Sequence, residues 1–148
     1  MSVTIGQPAP AFTAQDQHGN TVSLGDFKGK KVALYFYPKD DTPGCTAQAC
    51  NLRDNYQALL GQGVQVIGVS TDSVASHKKF ADKYSLPFPL LADEAQTIVN
   101  AYGVWKEKNM YGKKYMGTSR ETFLISEDGI VEKHIAKVKT DAHAEQLA

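Results

Sequence analysis

Residues 32–70 read VALYFYPKDDTPGCTAQACNLRDNYQALLGQGVQVIGVS. The two ends, Val32–Tyr37 and Val64–Ser70, are continuous apolar runs rich in β-formers. Runs of that kind suit strands covered on both faces. Between them Cys45, Ala49, Leu52, Tyr56 and Leu59 step by four, three, four and three, which predicts one helical stripe over Cys45–Leu60. Gly61 and Gly63 suit its C-terminal stop. Strand, helix, strand is a βαβ unit, and its crossover is expected to be right-handed.

The flanks continue the alternation. Ala11–Ala14 and Thr21–Leu24 enclose Asp16-Gln-His-Gly-Asn20, an N-terminal hairpin with a glycine turn. Ser73–Tyr84 reads as a helix capped by Asp72 or Ser73 and closed before Pro87. Asp93–Tyr102 reads as another, with acids in its first turn. Glu121–Ser126 and Ile130–Ala136 are strands joined around Glu127-Asp-Gly129, and Asp141–Leu147 is a last helix. The fold class is therefore α/β, a mixed central sheet flanked by helices on both faces. Gly103–Ser119 does not fit the alternation. Its Lys106, Lys108, Lys113 and Lys114 lie among Trp105, Tyr111 and Tyr115. Such interleaving can bind single-stranded nucleic acid, but four lysines in a neutral chain are a weak footprint. The expectation is a solvated flap whose aromatics pack down on the domain.

The chain has 148 residues, one domain's worth over 1–148, enough to bury a core without disulfides or metals. Lys+Arg and Asp+Glu are both 16, so the net charge is zero, which argues against nucleic-acid partners. The N-terminus has no basic and apolar signal pattern, and no run approaches transmembrane length. A soluble cytoplasmic protein with no membrane association is expected. The two cysteines do not form a secreted disulfide framework; they are inert core thiols or redox groups.

The cysteine site concentrates the chemistry. Pro38 ends a strand, Pro43 and Gly44 make a turn, and Cys45 opens a helix. A thiol at a helix N-terminus faces unpaired N–H groups and the positive end of the macrodipole, which favour the thiolate. The C-terminal end of a strand in such a sheet is also where ligand crevices form. Cys50 lies five residues on; in an intact helix the two Cα atoms stand roughly 8.7 Å apart, beyond the usual disulfide reach of about 7 Å. If the two bond, the first turn must unwind. The spacing is not the Cys-x-x-Cys of a thiol–disulfide oxidoreductase. No metal site is expected: His18, His77, His134 and His143 show no paired spacing, and His77 is expected to be solvated on a polar helix face.

Pro38-x-x-x-Thr42-x-x-Cys45 resembles the active-site motif of the peroxiredoxins. The string YFYPKDDTPGCT from Tyr35 to Thr46, with Cys50, Lys113-Lys-Tyr-Met-Gly117 and Arg120, is similar to the bacterioferritin comigratory protein or peroxiredoxin Q subgroup. The resemblance runs from about Gly6 to Leu147. It implies a thioredoxin-like fold with an N-terminal β-hairpin extension and no cofactor. It implies a thiol peroxidase that reduces hydrogen peroxide and organic hydroperoxides in antioxidant defence and cell redox homeostasis. Cys45 is then the peroxidatic nucleophile and Cys50 the resolving thiol, giving an intramolecular disulfide recycled by thioredoxin or a similar dithiol. Thr42, Gly44, Cys45 and Arg120 meet the peroxide, Thr42 through its hydroxyl and Arg120 as the cation beside the sulfur, while Pro38 shields the pocket. Ser73–Tyr84 lacks the second cysteine that some relatives carry there, so only Cys50 can resolve within the chain, which is expected to be a monomer. Many relatives have Glu three residues after the nucleophile; Gln48 stands here. The competing reading is a redox sensor that uses the same cysteines without turnover.

Overall fold

The alternating side chains of the strand Lys31–Phe36 enter two different cores, and the architecture follows from that division. The computed structural model describes residues 3–147. Its strands are β1 (Thr13–Gln15), β2 (Thr21–Ser23), β3 (Lys31–Phe36), β4 (Val64–Ser70), β5 (Leu90–Ala92), β6 (Trp105–Met110), β7 (Lys113–Thr118), β8 (Glu121–Ile125) and β9 (Val131–Ile135). The helices are α1 (Pro43–Asp54), α2 (Tyr56–Gly61), α3 (Val74–Tyr84), α4 (Thr97–Ala101) and α5 (His143–Leu147). A seven-stranded sheet runs β2-β1-β5-β4-β3-β8-β9. The pairs β3–β4 and β4–β5 are parallel; β8 and β9 add antiparallel on one side and the β1–β2 hairpin on the other. The expected thioredoxin-like α/β architecture with its N-terminal hairpin is present.

Ala33, Tyr35 and Tyr37 join Leu52, Leu59, Phe80 and Leu147 in one core, beneath α1, α2, α3 and α5. Val32, Leu34 and Phe36 join Ile98, Val99 and Phe123 in the other, which includes α4 and the N-terminal hairpin. Burial on both faces explains why VALYFY is apolar throughout rather than alternating. Gly68 on β4 makes room for this packing: a Cβ there would lie 2.8 Å from Tyr35 Cζ and 2.9 Å from Leu90 Cδ2. Among the described residues, no helix is long and apolar enough to cross a membrane.

Four expectations need correction. The helix predicted over Cys45–Leu60 is two helices, broken at Asn55 (φ −110°, ψ 5°). The Asn55 side chain donates to the Asn51 carbonyl at 2.8 Å, a local bond that competes with regular helix. The helix expected over Asp93–Tyr102 is only Thr97–Ala101. Asp93 instead precedes it and accepts from the Val99 amide at 2.8 Å. The flap expected over Gly103–Ser119 is the two-stranded β6–β7 hairpin, turned at Tyr111 and Gly112, both at positive φ. Trp105 packs on the core, but Tyr111 is 98% and Tyr115 43% exposed, so the tyrosines do not pack down. Finally, His77 is fully buried rather than solvated.

A second buried histidine makes stability pH-dependent. Nδ1 of His143 faces Gln146 Oε1 at 2.8 Å, and that oxygen also accepts the Lys139 amide, so Nδ1 carries the proton. Nε2 then accepts from the Thr122 hydroxyl at 2.8 Å. Burial holds the imidazole below its ordinary pKa of 6.5; the Gln146 bond acts upward and the Arg120 charge downward. The unfolded chain takes up a proton below about pH 6.5 that the folded protein refuses, so this contribution is present above that pH and lost as pH falls. We expect the Tm to drop between about pH 7.5 and about pH 5.5, with a smaller drop in His143→Gln. Equal pH slopes in the two proteins, measured by thermal unfolding, would contradict this assignment.

Candidate active site

Parallel pairing of β3 with β4 places the chain, after Tyr37, at the carboxyl edge of the sheet, where Pro38 is half-buried. The loop then turns into α1. Thr42 is the N-cap but makes no side-chain cap bond, and Pro43 has no N–H to give. The Thr46 amide is bonded, to the Thr42 carbonyl at 2.8 Å. Cys45, 1% exposed, thus sits in a first turn whose backbone donors are not claimed by a cap.

Arg120 reaches the same point from the start of β8. Its Nη2 donates to Cys45 Sγ at 3.2 Å and its Nη1 to Gln48 Oε1 at 2.7 Å. A guanidinium only donates, so the Gln48 oxygen must face it. The buried Gln48 amide nitrogen has no partner among the described residues. Gly44 completes the contact: a Cβ there would lie 3.1 Å from Arg120 Nη2. A side chain at position 44 therefore displaces the guanidinium. Thr42 directs its hydroxyl proton to the Lys39 carbonyl at 2.9 Å, leaving the oxygen free to accept.

The surrounding charges keep Arg120 available. Glu121 is its sequence neighbour, but its carboxylate is claimed at 2.8 Å by Lys106 and at 2.6 Å by His134. Burial acts upward on this carboxyl, yet the bonds from Lys106, Ser119 and His134 hold it below its usual value. Lys108 adds a cation from the hairpin, its ammonium donating to the Thr118 carbonyl. Burial lowers its pKa first, repulsion from Arg120 lowers it further, and Cys45 acts the other way. Lys108 belonged to a run of four lysines in the sequence, and nothing there distinguished it.

Cys50 is half-buried on the same helix, and both thiols are free. The structure brings Cys45, Arg120, Gly44 and Gln48 into contact, with Thr42 and Pro38 on the adjoining loop. The donor set fits a reaction that develops negative charge on oxygen beside a sulfur nucleophile: among the described residues it has one guanidinium, unclaimed helix amides and no competing carboxylate.

The chain is similar to known proteins along nearly its whole length. The sequence profile of the AhpC/TSA family matches residues 5–134. A putative peroxiredoxin bcp of Coxiella burnetii is 52% identical over 99% of this chain and 97% of that protein. The peroxiredoxin Bcp of Bacillus subtilis is 48% identical over 97% of this chain and 91% of that protein. Among solved structures, the bacterioferritin comigratory protein of Xanthomonas campestris, described for its alkyl peroxide reduction activity, superposes with a TM-score of 0.89 at 36% identity, over 97% of this chain and 94% of that one. With a cysteine at the mouth of α1, an arginine on its sulfur and relatives matched along nearly their full length, the chain belongs to the AhpC/TSA family and is a peroxiredoxin.

Proposed function

We propose that Cys45 reduces hydrogen peroxide and organic hydroperoxides, that Cys50 resolves it, and that thioredoxin or a similar dithiol recycles the enzyme in the cytoplasm. The carrying observation is the 3.2 Å contact of Arg120 with Cys45 Sγ at the start of α1. The Cys45 thiolate attacks one peroxide oxygen. The O–O bond breaks, sulfur is oxidised to sulfenic acid, and the other oxygen leaves as water or alcohol after taking a proton. Arg120 and the first-turn amides stabilise the charge that develops on the leaving oxygen. The Thr42 oxygen accepts from the incoming hydroperoxide. Cys50 then attacks the oxidised sulfur and expels water, forming the disulfide. Both thiols lie in one helix of one chain, which supports a monomer as the working unit.

The resolving step moves only part of the helix. Asn51 is tied to α5 and to the turn before it: its amide donates to the Asp141 carbonyl at 3.0 Å, and its oxygen accepts the Ala144 amide at 2.8 Å. Residues 43–50 lie on the uncapped side of this anchor, and the break at Asn55 separates α2 from it. Amide exchange of the disulfide form should therefore show lost protection before Asn51 and unchanged protection in α2. Equal protection over 43–50 in both redox forms, with the disulfide confirmed by mass, contradicts the unwinding step.

Cys45→Ser should abolish peroxide-dependent NADPH consumption in a thioredoxin-coupled assay and leave the fold intact. Retained turnover would assign the nucleophile elsewhere, and wild-type protein that oxidises once without sustained turnover would favour the sensor reading. Gln48→Glu should place a carboxylate on Arg120 Nη1 and draw its charge from the sulfur. We expect the rate constant for peroxide to fall by about fivefold, which is about 1 kcal/mol of transition-state stabilisation. An unchanged constant in a stopped-flow measurement means that the neutral amide has no part in the chemistry.

A further inference from the structure

The loop between β3 and α1 is fastened to α3 by residues that the peroxide chemistry does not use. Asp40 is buried, and both of its oxygens are occupied. Oδ1 accepts the Tyr37 hydroxyl at 2.6 Å; Oδ2 accepts the Ser76 hydroxyl at 2.8 Å and faces His77 Nδ1 at 2.6 Å. The Asp40 amide donates to Asp72 Oδ2 at 2.8 Å, an oxygen that also accepts the Ser70 hydroxyl at 2.7 Å. Next in the chain, Asp41 holds a positive φ of 57°, uncommon for a residue with a side chain. Its carboxylate takes Lys83 and Tyr84 from α3, each at 2.8 Å. Two consecutive loop residues are thus tied to four positions on one helix.

The partners of His77 fix its protons. Nε2 faces the Leu91 carbonyl at 2.9 Å, and a carbonyl only accepts, so Nε2 carries a hydrogen. A 2.6 Å contact between Nδ1 and a carboxylate oxygen then needs a proton of its own, shared between His77 and Asp40. Asp40, Asp72 and His77 bring ligand atoms within 4.8 Å of one another, as a metal site would. Yet the Asp40 and His77 atoms and the bonded Asp72 oxygen are already engaged, and protons hold the cluster together.

We propose that the proton-sharing Asp40–His77 pair is the positioning element for the nucleophile. Thr42, the N-cap of α1, lies two residues beyond Asp40, and Cys45 lies five beyond. Arg120 comes from a separate strand, so its 3.2 Å contact with the sulfur depends on where this loop is held. The loop also stands on the fixed side of the unwinding turn, so each rewinding starts from the same point. The inference rests on Cys45 as the nucleophile.

Two near-isosteric variants separate positioning from general stability. The amide nitrogen of Asn occupies the place of Nδ1 and can still donate to Asp40; that of Gln occupies the place of Nε2 and keeps only Leu91. The second-order constant for peroxide should fall by about tenfold in His77→Gln and stay within about threefold of wild type in His77→Asn, since small misplacements cost rate steeply. Alkylation of Cys45 by iodoacetamide, which needs no peroxide geometry, should change by less than about twofold in both when measured at a pH where the thiol is fully ionised. Equal peroxide constants in the two variants, or an equal loss in alkylation, overturn the proposal. Should His77→Gln fail to fold, Ser76→Ala removes another donor to the same Asp40 oxygen from a half-buried site. A loss of about threefold in the peroxide constant at unchanged Tm supports the proposal, and an unchanged constant overturns it. Cys45→Ser is measured alongside: turnover in that variant defeats the nucleophile assignment itself, whatever the His77 pair shows.

Discussion

Arg120 brings a positive charge to 3.2 Å from a sulfur, and the two neighbouring positions that could neutralise it do not. Position 48 is an amide that accepts one bond without taking charge, and Glu121 is claimed by Lys106 and His134. A guanidinium paired with a carboxylate is largely neutralised at close range, whereas one facing a thiol directs its field there. Much of the local structure serves this contact. Gly44 keeps the space open, β8 delivers the arginine beside β3, and the β3–α1 loop sets where the sulfur stands.

The helix that carries the sulfur differs in strength along its length. Its start has proline in place of a donor and no side-chain cap, and such caps are typically worth about 1 kcal/mol. From Asn51 onward it is bonded to α5 and packed through Leu52 into a closed core. A helix that must open to bring two thiols together opens at its weaker end. The same missing cap leaves backbone donors for an oxyanion, so one omission serves both reaction and rearrangement.

Much of this was legible in the amino-acid sequence because it depends on local pattern. VALYFY and VQVIGVS are strands through composition, and the Cys45–Leu59 stripe marks which face is buried whether or not the helix is continuous. The motif around Cys45, with the distal Arg120, carried the site. What escaped depends on individual side-chain partners and turn conformations rather than on periodic pattern. The flanking Ser76 and Lys78 make His77 look solvent-facing; Asp40, thirty-seven residues earlier, and the Leu91 carbonyl, fourteen residues later, make its burial tenable. The break at Asn55 comes from one side-chain bond that no periodicity records. The β6–β7 hairpin has polar side chains on both faces and turns through a tyrosine at positive φ, so neither alternation nor an Asn-Gly turn marks it.

That hairpin also presents a colloidal problem. A two-stranded ribbon leaves an outer edge of free N–H and C=O groups on each strand, a template on which a strand from another molecule can add. Exposed Tyr115 and Met116 would reward such addition with apolar contact. Lys113 and Lys114 line β7, and an incoming strand must strip water from their ammonium groups or bring acids of its own. On a chain with zero net charge, where overall repulsion does little to keep copies apart, these lysines act as local guards against edge-to-edge association.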